Sequence, residues 1–228
     1  AAALTVDGTL YGWGNNYSNP LALEGYTESD WMVSVPTPIT AFPEPVVDLD
    51  AGAYGLGAVL ESGKVWATAL PFVKNSQVFT GDSNNSILPV TNAKQVAMGG
   101  NSIAALTASG NVWTKGVNGG DYPSSTFILG NPDVGYQSEQ ALVKGPNGVG
   151  FLTDAIYLSE GNSTAYVIRK DGTLWSWGSN QYGQLGIGIA GNRESATPSK
   201  VPVAVTVDGA PFKLAASADA SLKAISLN

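Results

Sequence analysis

A chain of 228 residues with neither histidine nor cysteine offers few starting points for chemistry. A metal centre loses its commonest ligands, a Ser-His-Asp triad loses its base, and a thiol nucleophile is impossible. Carboxylates remain. Asp48 and Asp50 flank Leu49 and would share one face of a strand, the arrangement from which two carboxyls can do acid–base work. The sequence supplies them with no further partner, so a non-enzyme is expected. "GDSNNS" (81–86) alternates oxygen side chains like a calcium loop but lacks the closing bidentate acid, so no metal is expected. "GIGIAG" (186–191) satisfies G-x-G-x-x-G. That fingerprint needs a helix to start inside it, and Pro198 cuts one short, so tight turns are expected there and no cofactor. What is left is contact chemistry. Six aromatics stand outside any repeated pattern, in stretches rich in Pro, Gly, Asn and Ser: Tyr17, Tyr26, Trp31, Tyr122, Tyr136 and Tyr182. Tyrosine and tryptophan give large contact area at low entropic cost, which makes these the candidate ligand-binding residues.

Composition narrows the partners. The net charge is −7 with a pI near 4.4, so neither a phosphate backbone nor anionic lipid is an expected partner. No apolar run reaches the length of a membrane span, and "AAALTVDG" at the start shows no basic segment followed by an apolar one. Only 13% of residues are charged while 43% are hydrophobic, a balance that suits a folded, β-rich chain with a neutral polar surface. "NYS", "NNS" and "NST" are glycosylation sequons, informative only in a secretory host.

The elements that would carry the loop aromatics come from a repeat. "ALTVDGTLYGWG" (3–14), "AVLESGKVWATA" (58–69), "ALTASGNVWTKG" (105–116) and "VIRKDGTLWSWG" (167–178) align without gaps. Each reads as strand, two-residue turn at an Asp-Gly or Ser-Gly pair, then an alternating strand with an aromatic. The turn glycines are Gly8, Gly63, Gly110 and Gly172. Gly52, Gly99 and Gly161 precede the last three by 11 residues, each at the end of a further strand. "FKLAASADASLKAISLN" closes the chain as a fourth version, with Ser217 in place of the upstream glycine and Asn228 at the turn position. Trp66, Trp113 and Trp175 share one repeat position with Tyr11, and Trp13 and Trp177 lie two residues on. These aromatics should fill the space between sheets.

Strands recurring at this period without helical periodicity predict an all-β propeller of about four blades, each of four short antiparallel strands, as one domain over 1–228. The stretches 15–45, 71–90 and 117–140 are its loops. "VIRKDGTLWSWGSNQYGQLGIG" (167–188) closely resembles the repeat of the regulator of chromosome condensation (RCC1) family, and the other segments resemble degenerate copies. The resemblance implies a propeller commonly of seven blades, with roles from nucleotide exchange on a small GTPase to protein, chromatin and surface recognition. The basic segments and the inserted wedge that chromatin binding and exchange would need match no stretch here. About four blades leave one strand over, because "AAALTV" and "LKAISLN" would fill the same place in the cycle. A small closed ring with a spare strand, an open propeller, and terminal strands paired with another chain are the options, and the last is expected. The functional expectation is a non-catalytic module that binds a protein or glycan through propeller loops, in an extracellular or virion-associated setting such as a tail fibre. The alternative is a cytoplasmic regulator of a small GTPase.

Overall fold

The four aligned segments fold into one and the same hairpin. The computed structural model describes residues 1–17, 19–25, 27, 31–52, 55–68, 88–100, 102–118, 127–135, 137–188 and 197–214. Strands β1 (Ala2–Leu4), β2 (Leu10–Asn15) and β3 (Met32–Pro38) form the first sheet, and β4 (Val46–Ala51), β5 (Leu56–Leu60) and β6 (Val65–Ala67) the second. The third contains β7 (Ala93–Met98), β8 (Ser102–Thr107), β9 (Val112–Val117) and β10 (Gln137–Leu142). The fourth contains β11 (Ala155–Glu160), β12 (Thr164–Arg169), β13 (Leu174–Gly178) and β14 (Ser199–Ala204), after which β15 (Thr206–Val207) and β16 (Ala210–Pro211) make a small hairpin. All neighbours are antiparallel. Four sheets of three or four strands among the described residues are the expected blades. Helix is confined, among those residues, to one 3-10 turn at Pro146–Gly148, and no helix is long and apolar enough to cross a membrane.

The turn type differs from the expected two-residue one. In all four hairpins the glycine N–H returns to the carbonyl three residues back, as from Gly110 to Thr107 and from Gly172 to Arg169, and the strands close one residue later. This is a three-residue loop in which only the glycine is left-handed, Gly110 at φ +85°. The preceding residue keeps negative φ, which is why aspartate and serine both serve there. Asp7 and Asp171 accept a hydrogen bond from the backbone N–H of Thr9 and Thr173, reinforcing the loop.

These turns also join blade to blade. The carbonyls of Gly63 and Gly110 accept from Ala93 and Ala155, the first residues of the next inner strands, and that of Gly172 accepts from Leu214. A methyl group on Gly110 would stand 2.9 Å from the Asp154 nitrogen, so a side chain has neither the angle nor the room. Of the closing version of the repeat, Phe212, Lys213 and Leu214 are described, and Ser217 and Asn228 lie outside the described residues.

The core lies between sheets rather than within one. Ala97, Leu106, Val112, Leu129, Leu158, Val167 and Trp177 form one layer between the third and fourth blades, and Val59, Val65, Leu88, Val96 and Ile103 another between the second and third. Trp177 is fully buried with its indole N–H on the Ile128 carbonyl at 2.7 Å, the inter-blade place expected for the repeat aromatics.

Candidate interaction rim

In the first, third and fourth blades the connection that follows β2, β9 or β13 begins with an anchored turn. Asn16, Asn118 and Asn180 are buried, and their side-chain oxygens accept from the N–H of Leu21, Leu129 and Leu185 at 3.0, 3.2 and 3.1 Å. Those leucines are buried too. In two blades a hydroxyl on the third strand fixes the same leucine from the other side: Thr114 donates to the Leu129 carbonyl and Ser176 to that of Leu185. In these three blades the first few residues of the connection are therefore folded inward and give the loop a rigid base. Sequence reasoning leaves these asparagines unassigned, although their constant place after the hairpin is the available signal. Asn16 heads the "NYS" sequon, and its burial makes that site inaccessible.

Three of the six candidate aromatics lie in described residues. Tyr17, Trp31 and Tyr182 are 74%, 51% and 71% exposed. Tyr17 follows β2 and Trp31 precedes β3, and the two ends of that connection are tied by the Asn16 N–H on the Trp31 carbonyl at 2.7 Å. Tyr182 lies on the corresponding connection between β13 and β14. In an antiparallel meander these connections leave every blade at the same end, so the structure places all three on one rim. Tyr17 and Trp31 flank one loop, and Tyr182 stands on another blade. Tyr26, Tyr122 and Tyr136 lie outside the described residues, as does "GDSNNS". Of "GIGIAG", Gly186 and Gly188 are described, both left-handed in turns.

Beneath this rim the inner strands carry the carboxylates. The Asp48 and Asp50 carboxylates do not confront each other over a cleft. They accept from the N–H of Val96 and Met98 on the neighbouring inner strand, at 2.7 and 2.8 Å. Gln95 repeats the device one blade on, exchanging hydrogen bonds with the backbone of Leu158 at 2.8 and 3.0 Å. Side chains of one inner strand thus satisfy the axis-facing backbone of the next, and the suspected acid–base pair is structural. Burial pushes the Asp48 carboxyl up to about 6 and raises Asp50 as well, against the hydrogen bonds that favour the charged form. Glu160, at the rim end of β11, is buried and pushed up to about 8, chiefly by desolvation. Ser102 donates to its Oε1 at 2.6 Å, and Oε2 has no hydrogen-bond partner. Among the described residues no group of acids could hold a metal ion.

Antiparallel blades joined through inner strands, with anchored connections on one rim, define a β-propeller. The chain is similar to the regulator of chromosome condensation family: the model of the RCC1 repeat matches residues 7–59 and 171–220. Curated relatives include the human E3 ubiquitin-protein ligase HERC2, 29% identical over 189 residues, covering 78% of this chain and 4% of HERC2. The ultraviolet-B receptor UVR8 of Arabidopsis thaliana is 28% identical over 209 residues, covering 87% of this chain and 43% of the receptor. Yeast RCC1 (Prp20), solved with Kap60 bound to it, is similar in fold with a TM-score of 0.65 and 16% identity over 91% of this chain and 46% of that one. The chain therefore spans less than half the length of these relatives.

Proposed function

We propose that the chain, taken over 1–228 as one propeller unit, is a non-catalytic protein-recognition module that engages its partner through the rim bearing Tyr17, Trp31 and Tyr182. The observation that carries this reading is their common placement. Exposed aromatics stand on loops whose bases are pinned by buried asparagine–leucine pairs, so little ordering entropy opposes contact. Tyr26, Tyr122 and Tyr136 belong by sequence to the same set of connections and are proposed with them. The bound Kap60 of yeast RCC1 supports a protein partner over a glycan. The extracellular or virion setting and the pairing of terminal strands draw no support from the relatives. Photo-crosslinking separates the possibilities. A photoreactive residue at 17, 31 or 182 should trap a defined protein that one at Ser62, in a turn on the opposite side, does not. Equal trapping from both sides, or glycan binding lost on Tyr17→Ala, would overturn the reading. A nucleotide-exchange assay on a small GTPase tests the regulator alternative.

A further inference from the structure

The charge of this chain is unevenly laid out. Eight of its 18 carboxylates precede Lys64 and none of its 11 basic residues does, so the net charge of −7 is set before that lysine and the remainder is close to balanced. The first rim connection takes much of the excess. Between β2 and β3 it carries Glu24, Glu28 and Asp30 and no lysine or arginine, in the same stretch that exposes Tyr17 and Trp31. Glu24 is exposed too, and among the described residues no cation pairs with it. Glu28 and Asp30 lie outside the described residues and enter only as charge.

Between the third and fourth blades the same ingredients occur with the cation included. Lys144 reaches the Asp133 carboxylate at 2.5 Å and lies over the Phe151 ring, 5.2 Å from its centre. Lys200 lies over the Phe127 ring at 4.5 Å. The first connection has the aromatics and the acids without a lysine of its own. Its aromatic backbone is nevertheless fixed. The Tyr17 N–H donates to Asn15 Oδ1 at 2.8 Å and the Asn16 N–H to the Trp31 carbonyl at 2.7 Å, one step past the Asn15–Met32 pair of the β2–β3 ladder. Held aromatic faces beside uncompensated carboxylate make a receptor for a cationic side chain.

We propose that the first rim connection, through Tyr17, Glu24 and Trp31, binds an arginine-bearing segment of the partner protein. This rests on the rim reading and adds the partner's chemistry to it. Arginine fits better than lysine because its planar guanidinium stacks on Tyr and Trp faces while its fork of donors reaches carboxylate oxygens. The same charge repels an acidic segment.

The probe is a fluorescein-labelled Gly-Arg-Ser repeat peptide, with lysine and glutamate versions of equal length, read by fluorescence anisotropy. The arginine peptide should bind, the lysine version about threefold more weakly, and the glutamate version not at all. Trp31→Ala, and the pair Glu24→Gln with Glu28→Gln, should each weaken the arginine peptide about threefold. The pair Glu61→Gln with Asp208→Asn removes the same charge in turns away from this connection and should change binding by less than about 1.5-fold. Trp31, Glu24, Glu61 and Asp208 are exposed, so these variants should keep the parent's circular dichroism. No binding of the arginine peptide, equal binding of the lysine version, or equal loss from the two neutralised pairs overturns the proposal. Photo-crosslinking from 17 and 31 keeps the two readings apart: a protein trapped there while the arginine peptide fails to bind removes this proposal alone, and no trapping removes the rim reading.

Discussion

Replacing Glu160 with glutamine probes the inner ring most directly. In the folded chain its carboxyl is buried, accepts from Ser102, and titrates near 8 instead of its ordinary 4.5. A raised folded-state pKa means the native state holds a proton that the unfolded chain has released. Stability from this group is therefore full below about 4.5, falls as pH rises toward about 8, and is constant above it. The slope through that window is about 1.4 kcal/mol per pH unit, so the cumulative loss is several kcal/mol, a large part of a typical folding free energy. Asp48, raised to about 6, adds loss of the same sign at the lower end of the window, and Asp50 acts in the same direction. Glutamine keeps an oxygen for Ser102 and removes the titration, at the expense of a buried amide whose unmet donors cost about 1–3 kcal/mol at every pH. Urea unfolding at a series of pH values from about 5 to about 9 reads both effects. Glu160→Gln should start less stable than the parent in acid and lose the parent's decline between about pH 6 and 8. Parallel stability curves for the two proteins would refute a neutral, buried Glu160.

The geometry sets three further outcomes. Gly110→Ala forces a methyl into a left-handed position 2.9 Å from the Asp154 nitrogen. It should lower the urea midpoint by the equivalent of about 1–3 kcal/mol. Asn180→Ala strands the buried Leu185 N–H and should cost a similar amount in thermal unfolding, about 1–3 kcal/mol, whereas Tyr182→Ala should stay within about 0.5 kcal/mol. Expression through a secretory host should place glycan on exposed Asn162 and none on buried Asn16, as intact mass before and after glycosidase treatment would show.

The hairpins are legible in the sequence because they rest on local rules. A glycine at each of Gly8, Gly63, Gly110 and Gly172, flanked by alternating apolar residues, announces a tight reversal whatever surrounds it. The turn class is not legible, because an Asp-Gly pair serves both the two-residue and the three-residue loop and only the hydrogen bonds choose between them. The role of Asp48 and Asp50 is hidden for a different reason. Their partners are backbone N–H groups 48 residues downstream, on a strand whose place beside β4 exists only after the blades assemble. Glu160 carries no signal at all in sequence, since its burial is a property of the seam between blades.

The Asp-Gly pair at 208–209 shows how far local identity can mislead. "TVDG" occurs at 5–8 and again at 206–209. At the first site only Gly8 is left-handed and the turn abuts Pro45 at the start of the next inner strand. At the second, Asp208 and Gly209 are both left-handed, φ 51° and 78°, closing Val207 onto Ala210 in a two-residue hairpin unlike the four three-residue blade turns. The same four residues build the blade in one place and decorate a connector in the other. What separates them is the next strand: "LYGWGN" after Thr9 enters a sheet through six residues, whereas Pro211 ends the pairing after two. That early stop leaves the hairpin standing out from the fourth blade, where Val207, Ala210 and Pro211 face solvent.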